Sequence, residues 1–380
     1  MTRFHWPLGP CIGTAAPNIG RVEGKSAVRI VVAMSGGVDS SVTAALLAEA
    51  GHEVIGVTLQ LYDHGAATAR KGACCAGQDI HDARNVADRL GIPHYVIDAE
   101  ARFRETVIAP FADAYASGET PVPCVACNQG VKFTDLLGLA RDLGAEAMAT
   151  GHYVQRADGP DGAELHRAAD ADRDQSWFLF ATTREQLAFC RFPLGAMPDK
   201  QAVRAHAARF ALPVAEKPDS QDICFVPEGS YAGVVTHLRP DAGLAGSIVT
   251  ERGAVLAGHN GIAHYTVGQG KRLGAAAMHN GQRMTVVALD AATRRVVVGA
   301  RDAGTTHLRL RDVNWLVDAP PEGITCAVRL RARDALRPAH VYPTENGAEV
   351  TLAELALPAP GQACVFYQGT RILGGGFIRR

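Results

Sequence analysis

Residues 28–34, Val-Arg-Ile-Val-Val-Ala-Met, form a β-branched apolar run of the kind a strand covered on both faces of a parallel sheet requires. A glycine turn follows, and apolar positions at helical spacing predict a helix over Ser40–Ala50 that Gly51 ends. Residues 53–59 read as a second strand. The polar stretch beyond them holds Cys74 and Cys75, and helical periodicity returns over 78–90 until Gly91 and Pro93 close it. His94–Ile97 reads as a third strand, 131–143 as another helix and Ala147–Thr150 as a further strand. Strand and helix alternate, so the first half predicts an α/β, doubly wound domain over residues 27–228.

The texture changes after about residue 228. Short strands are expected at Arg283–Leu289, Arg295–Ala300, Ala327–Ala332, His340–Tyr342, Ala348–Leu352 and Ala363–Tyr367, separated by turn signals such as Asn346-Gly347. Evenly spaced strands without helices predict a C-terminal β-barrel over 281–380. The glycine-rich stretch 229–280 reads as a small central domain, and residues 1–26, with three prolines and no apolar h-region, as a flexible tail.

Composition narrows the class. The chain has 380 residues, 47% of them apolar, and a net charge of −1, enough for two or three cores and no sign of disorder. No apolar run is long enough for a membrane span. Residues 281–380 carry 13 arginines against 9 acids, a modest positive surplus that permits contact with RNA. Nine cysteines spread over the chain are no disulfide framework, so a reducing, cytoplasmic compartment is expected.

Two motifs carry chemistry. Ser35-Gly36-Gly37-Val38-Asp39-Ser40-Ser41 lies between the first strand and the first helix. Its glycines let backbone N–H groups approach a phosphate, its serines add donors, and Asp39 could hold Mg²⁺ beside that phosphate. The spacing is neither that of a Walker loop nor that of a dinucleotide fingerprint. The second motif is Cys124-Val125-Ala126-Cys127, preceded by Pro121 and Pro123. Such a pair can be a redox couple, half a metal site, or a placed nucleophile with a neighbour. No second C-x-x-C exists to close a four-cysteine zinc site. Cys224, in Gln221-Asp222-Ile223-Cys224-Phe225-Val226, would by itself read as a core residue.

The first motif resembles the PP-loop of the ATP pyrophosphatases, which split ATP to AMP and pyrophosphate while adenylating a substrate. Beyond it, the chain resembles the tRNA-specific 2-thiouridylase family over nearly all of residues 28–378. The matching blocks include Val131-Lys132-Phe133, Ala149-Thr150-Gly151-His152-Tyr153, Asp174-Gln175-Ser176-Trp177, the Cys224 block, His264-Tyr265-Thr266-Val267-Gly268-Gln269, Pro360-Gly361-Gln362 and Leu373-Gly374-Gly375-Gly376. This resemblance implies an ATP-dependent sulfurtransferase that converts a wobble uridine of tRNA to 2-thiouridine, with a sulfur-donor protein as second partner and no role for DNA or a membrane. It implies that Ala33, Met34, Ser35, Gly36, Gly37, Val38, Asp39 and Ser40 hold ATP and that Leu59 and Gly151 hold its adenine. Cys127 then corresponds to the attacking or resolving thiol and Cys224 to the persulfide carrier, a pairing that would bring them into a transient disulfide bond. His152, Arg173, Asp174, Gln175, Arg331 and Gln362 correspond to positions that touch tRNA.

Two positions depart from the family pattern. Many relatives carry an acid where this chain has Cys124, beside the target base. A third thiol there makes a 4Fe-4S cluster on Cys124, Cys127 and Cys224 an alternative to the persulfide. Relatives usually show Arg-Tyr where this chain has Arg331-Ala332, so a stacking platform for a base is missing. The rival functions are another PP-loop ligase, such as an amidotransferase acting on a nucleotide, and a non-catalytic RNA-binding module. The first should bring an ammonia-delivering glutaminase, for which the chain has no room, and an intact PP-loop with three thiols argues against the second.

Overall fold

The computed structural model describes residues 27–62, 75–219, 223–226, 231–300 and 304–379. The expected tail and Cys74 lie outside the described residues.

The first strand, β1 (Arg29–Ala33), pairs in parallel with β2 (Glu53–Gln60) on one side and β4 (Ala147–Thr150) on the other. With β3 (His94–Asp98) and β7 (Cys190–Arg191) they form a five-stranded parallel sheet in the order β3-β2-β1-β4-β7. Alternation along β1 explains the layers. Ile30 and Val32 pack with Val38, Val42 and Ala45 of helix α1 (Val38–Glu49), with Ala83 and Val86 of α2 (Cys75–Leu90), and with Val203 further on. Val31 joins Phe133, Leu136 and Met148 on the opposite face, beneath a helical stretch, residues 123–142, that runs on from the C-x-x-C. Another helical stretch, residues 100–116, precedes it.

One hairpin was not foreseen from the sequence. β5 (Val154–Gly159) and β6 (Gly162–Arg167) leave the α/β sheet and attach to the C-terminal barrel, where Arg371 pairs with His166. The barrel consists of β13 (Thr305–Trp315), β14 (Ile324–Arg329), β15 (Arg337–Thr344), β16 (Gly347–Ala356), β17 (Ala363–Gln368) and β18 (Arg371–Ile378). It closes through the β13–β18 pairing, which removes the free edges.

The central unit is larger than the sequence suggests. β11 (Gln282–Asp290) and β12 (Arg295–Ala300), expected as the first barrel strands, instead extend the central sheet. There β12 pairs in parallel with β8 (Gly246–Thr250), which pairs with β9 (Val255–His259); the two-residue β10 (Met278–His279) sits on β11. The change of sheet therefore falls after residue 300, not at 281. Alternating strands look alike from sequence whichever sheet they join, so only pairing decides the boundary.

Trp177, Phe180, Leu316, Val365 and Tyr367 are buried in the same core as Val31 and Phe133, so the barrel shares apolar contacts with the α/β unit. The polar counterpart of that seam is Asp174. Its side chain is 1% exposed; it accepts from Arg167 Nε at 2.9 Å, from Arg329 at 3.3 Å, and from the backbone N–H groups of Ala168 and Ser176. The expected tRNA contact at Asp174 is thus corrected: its carboxylate is spent inside the protein, tying the hairpin to the barrel. Asp174→Ala leaves two arginines buried without their anion and should cost about 3–5 kcal/mol of stability. Urea unfolding measures this, and a loss below about 1 kcal/mol, as for a surface pair, would contradict the assignment.

Candidate active site

The strand order reverses direction of winding at β1 and β4, and a crevice at the carboxyl ends of those strands is where α/β sheets bind ligands. Two close approaches shape it here. Gly36 has φ +73°, and a Cβ there would lie 2.1 Å from the carbonyl oxygen of Asp79, so only glycine fits between the loop and α2. A Cβ on Gly151, just past β4, would sit 2.8 Å from the backbone nitrogen of Ser40. The loop is held by its own serines. Ser40 Oγ accepts from Ser35 N–H at 3.1 Å, and Ser41 donates to Gly37 O at 2.8 Å. Ala33 ends β1, Met34 is buried, and a Cβ on Gly37 would make ordinary contact with Ser35 Oγ at 3.5 Å.

The cleft beside this loop has a volume of about 570 Å³ and is lined by Ser35, Gly37, Val38 and Asp39 of the loop together with Leu59, Tyr62, Ile223 and Cys224. An ion network missed in the sequence crosses its floor. Lys200, at the start of helix α6 (Lys200–Arg209), which follows the short α5 (Arg184–Phe189), donates to both oxygens of Asp39 at 2.7 and 2.9 Å. It also pairs with Asp219 at 2.7 Å. Tyr153 donates its hydroxyl to Asp39 Oδ1 at 2.7 Å. Burial and then the charge of Asp39 push the phenol upward, so it stays a donor. Burial opposes the charge on Asp219, but hydrogen bonds from Lys200 and Arg173 outweigh it and hold its pKa below the ordinary range. Lys217 donates to Gly36 O at 3.0 Å and to Asp79 at 2.7 Å, and it also pairs with Asp82. No local pattern marks these lysines, because all their partners except Asp219 lie 135 or more residues away.

Of the three candidate thiols, Cys224 lines this cleft. Cys124 and Cys127 occupy the start of the 123–142 helical stretch, with Pro123 in its first turn. Cys127 is buried and Cys124 exposed. Cys224 is exposed along the cleft, and all three are free thiols. Burial raises the pKa of Cys127. For Cys124 burial is again the main cause, reinforced by the Cys127 charge. Cys224 is pushed up to about 12 by burial and then by Cys127 and Cys124. The one opposing charge common to all three is Lys132. Among the described residues, no group of three or more His, Cys, Asp or Glu side chains converges as a metal site.

Family comparison agrees with this geometry. A family model described as the tRNA methyl transferase HUP domain matches residues 28–228, the corresponding PRC-barrel domain 234–300 and the aminomethyltransferase β-barrel domain 305–378. The tRNA-specific 2-thiouridylase of Acidiphilium cryptum is 70% identical over 92% of this chain and 100% of its own length. That of Gluconobacter oxydans is 66% identical over 92% of this chain and 99% of its own length, and that of Dinoroseobacter shibae 56% over the whole of both. The chain belongs to the tRNA-specific 2-thiouridylase (MnmA) family.

Within this MnmA chain the residues expected at tRNA take distinct places. His152 lies beside β4, with Nδ1 2.7 Å from Thr150 Oγ1 and its ring against Phe133 at 6.0 Å. Burial and then Lys132 lower its pKa, so its imidazole is neutral at pH 7. Arg173 is exposed and pairs with Asp219 at 2.7 Å; Gln175 accepts from Tyr153 N–H and lines the cleft. Gln362 donates to Thr120 O at 2.9 Å, four residues before Cys124. Arg331 lies away from the cleft, donating to Val267 O at 3.1 Å between the central unit and the barrel.

Raised pKa values have a direct consequence. At neutral pH the three thiols are protonated, and the thiolate fraction should climb about tenfold per pH unit. Residue-resolved iodoacetamide alkylation of the free protein should show Cys224 reactivity still rising at pH 10. A plateau near pH 8 would show an unperturbed thiol instead.

Proposed function

We propose that this chain is the tRNA-uridine 2-sulfurtransferase that its family membership implies, acting on the wobble uridine with ATP as co-substrate. The single observation that carries the reading is the shared cleft: PP-loop residues and Cys224 line one cavity, and Cys127 is buried in one cluster with Phe225 and Val226, the residues that follow Cys224.

In this reading ATP lies along Ala33–Ser40, its phosphates against Gly36, Gly37 and the start of α1, and its adenine against Leu59 and Gly151. The uridine leaves its stack to reach the thiol end, which an anticodon loop makes inexpensive. The 2-oxygen of uridine is a poor leaving group; adenylation turns it into AMP. Terminal sulfur of a Cys224 persulfide attacks C2, AMP leaves with the C–O electron pair, and Cys127 then attacks Cys224 Sγ so that thiocarbonyl sulfur departs. Neutral His152 and the hydrogen-bonded Gln175 border the same end of the sheet and suit contacts to the RNA. A sulfur-donor protein reloads Cys224, whose exposure suits that handover. The cytoplasm suits free thiols, and no described helix is long and apolar enough to cross a membrane.

Two implied groups were weighed against the residues present. Magnesium favours free carboxylates together with substrate phosphates, yet both oxygens of Asp39 face Lys200. The donor set of the protein alone does not fit the ion, and no step is assigned to it. A 4Fe-4S cluster would draw on the same three thiols, Cys124, Cys127 and Cys224, and no step is assigned to it.

Cys127→Ser and Cys224→Ser should each abolish thiolated tRNA while tRNA-dependent exchange of pyrophosphate into ATP continues, because neither thiol belongs to the PP-loop end. Mass spectrometry after treatment with a sulfur donor should place the extra sulfur on Cys224. Loss of exchange in both variants, or sulfur elsewhere than Cys224, would contradict the division of labour.

A further inference from the structure

The persulfide reaction uses Cys127 and Cys224 and leaves them joined as a disulfide; Cys124 has no part in it. We propose that Cys124 is a second resolving thiol, which moves that disulfide off Cys224 and on to the C-x-x-C pair, so that the sulfur carrier is freed before any external reductant acts. This inference rests on the persulfide reading given above.

Three observations support it. Cys124 and Cys127 are three apart at the start of one helical stretch, where side chains at i and i+3 are neighbours. Asn128 N–H bonds the carbonyl of Cys124, so the turn that carries both thiols is closed and fixes their spacing. Exposure is divided as the role demands, since Cys127 is buried whereas Cys124 is open to a reductant. Finally, Cys127 is buried in one apolar cluster with Phe225 and Val226, and Ile223 packs against the same cluster, so the residues on either side of Cys224 lie beside the C-x-x-C.

Lys132 supplies the cation for the exchange. It lies in the stretch Asn128–Leu136, which has wide i→i+5 turns. In an α-helix, at about 3.6 residues per turn, a residue five beyond Cys127 would point well away from it. The wider turn returns Lys132 toward the side of the thiols, and such turns recur at functional sites.

The exchange balances. Cys124 thiolate attacks Sγ of Cys127; the Cys127–Cys224 bond breaks and its electron pair leaves on Cys224, which takes up a proton. The new bond joins Cys124 and Cys127. A dithiol reductant then delivers two electrons and two protons to that exposed pair.

The test is a single turnover on full-length enzyme, charged with sulfur on Cys224 and given ATP and tRNA without reductant, then quenched with acid and alkylated. Wild-type protein should yield a Cys124–Cys127 disulfide with Cys224 alkylated. In Cys124→Ser the Cys127–Cys224 disulfide should instead accumulate, about tenfold or more above wild type. Thiolated tRNA with a Cys127–Cys224 disulfide as the main wild-type species would overturn the relay and leave the persulfide reading standing. Thiolated tRNA with no disulfide among the three cysteines would overturn both. As an activity-independent arm, Cys224→Ser titrated with oxidised dithiothreitol should form the Cys124–Cys127 bond, and failure to form it counts against the relay.

Discussion

The geometry of the cleft depends on one ammonium group. Lys200 lies between Asp39, on the loop that follows the first strand, and Asp219, on the segment that leads within five residues to Cys224. The lysine side chain is only 11% exposed, so removing its charge from water is costly and is offset only because two carboxylates meet it there, one of them also held by the Tyr153 hydroxyl. Without the ammonium, two anions would face each other across the floor, and the PP-loop would lose its tie to the chain that carries the sulfur thiol. Lys217 repeats the device on the other side, binding Gly36 O together with Asp79 of α2. The loop is therefore gripped from α6, from α2 and from the approach to Cys224, and its serines are already turned inward to cap it. Such a loop meets a phosphate with its donors in place, which lowers the ordering cost of binding.

The barrel has a comparable hold on the other end. Thr120 N–H donates to Pro360 O at 2.7 Å, Gln362 donates to Thr120 O, and Arg311 pairs with Glu119 at 2.8 Å. All three contacts fall within five residues of Cys124. The C-x-x-C is thus positioned by the C-terminal unit although its helix belongs to the N-terminal one. A domain expected to contact RNA also sets the angle at which the thiols enter the site, which couples the two tasks physically. Gln362 illustrates the point, because its amide, expected at tRNA, holds the backbone beside the thiols.

What the sequence made legible follows the range of the interactions. The PP-loop could be read because seven adjacent residues do the work, and the parallel strands because burial on both faces leaves continuous apolar runs. Gly151 was nameable only by resemblance, since its reason, a 2.8 Å approach to Ser40, exists only once β1 and β4 are side by side. Lys200, Tyr153 and Lys217 were invisible as site residues; each meets partners more than a hundred residues away. Asp174 shows the converse. A polar residue in a block that matches the family was assigned to RNA, whereas four donors inside the protein take up its carboxylate. The strands of 282–300 could be found by alternation but not allotted to a sheet, because the period of two is the same in either.

The raised thiol pKa values fit this architecture. Protein packed around the three sulfurs penalises a thiolate even at Cys124 and Cys224, which reach solvent. The free enzyme therefore holds three protonated, weakly nucleophilic thiols. Reactivity must come from a change of charge nearby. Lys132 is the standing cation in that neighbourhood, and it acts on His152 as well as on the thiols. Its influence rises as further water is displaced, because the same ammonium acts more strongly at lower dielectric.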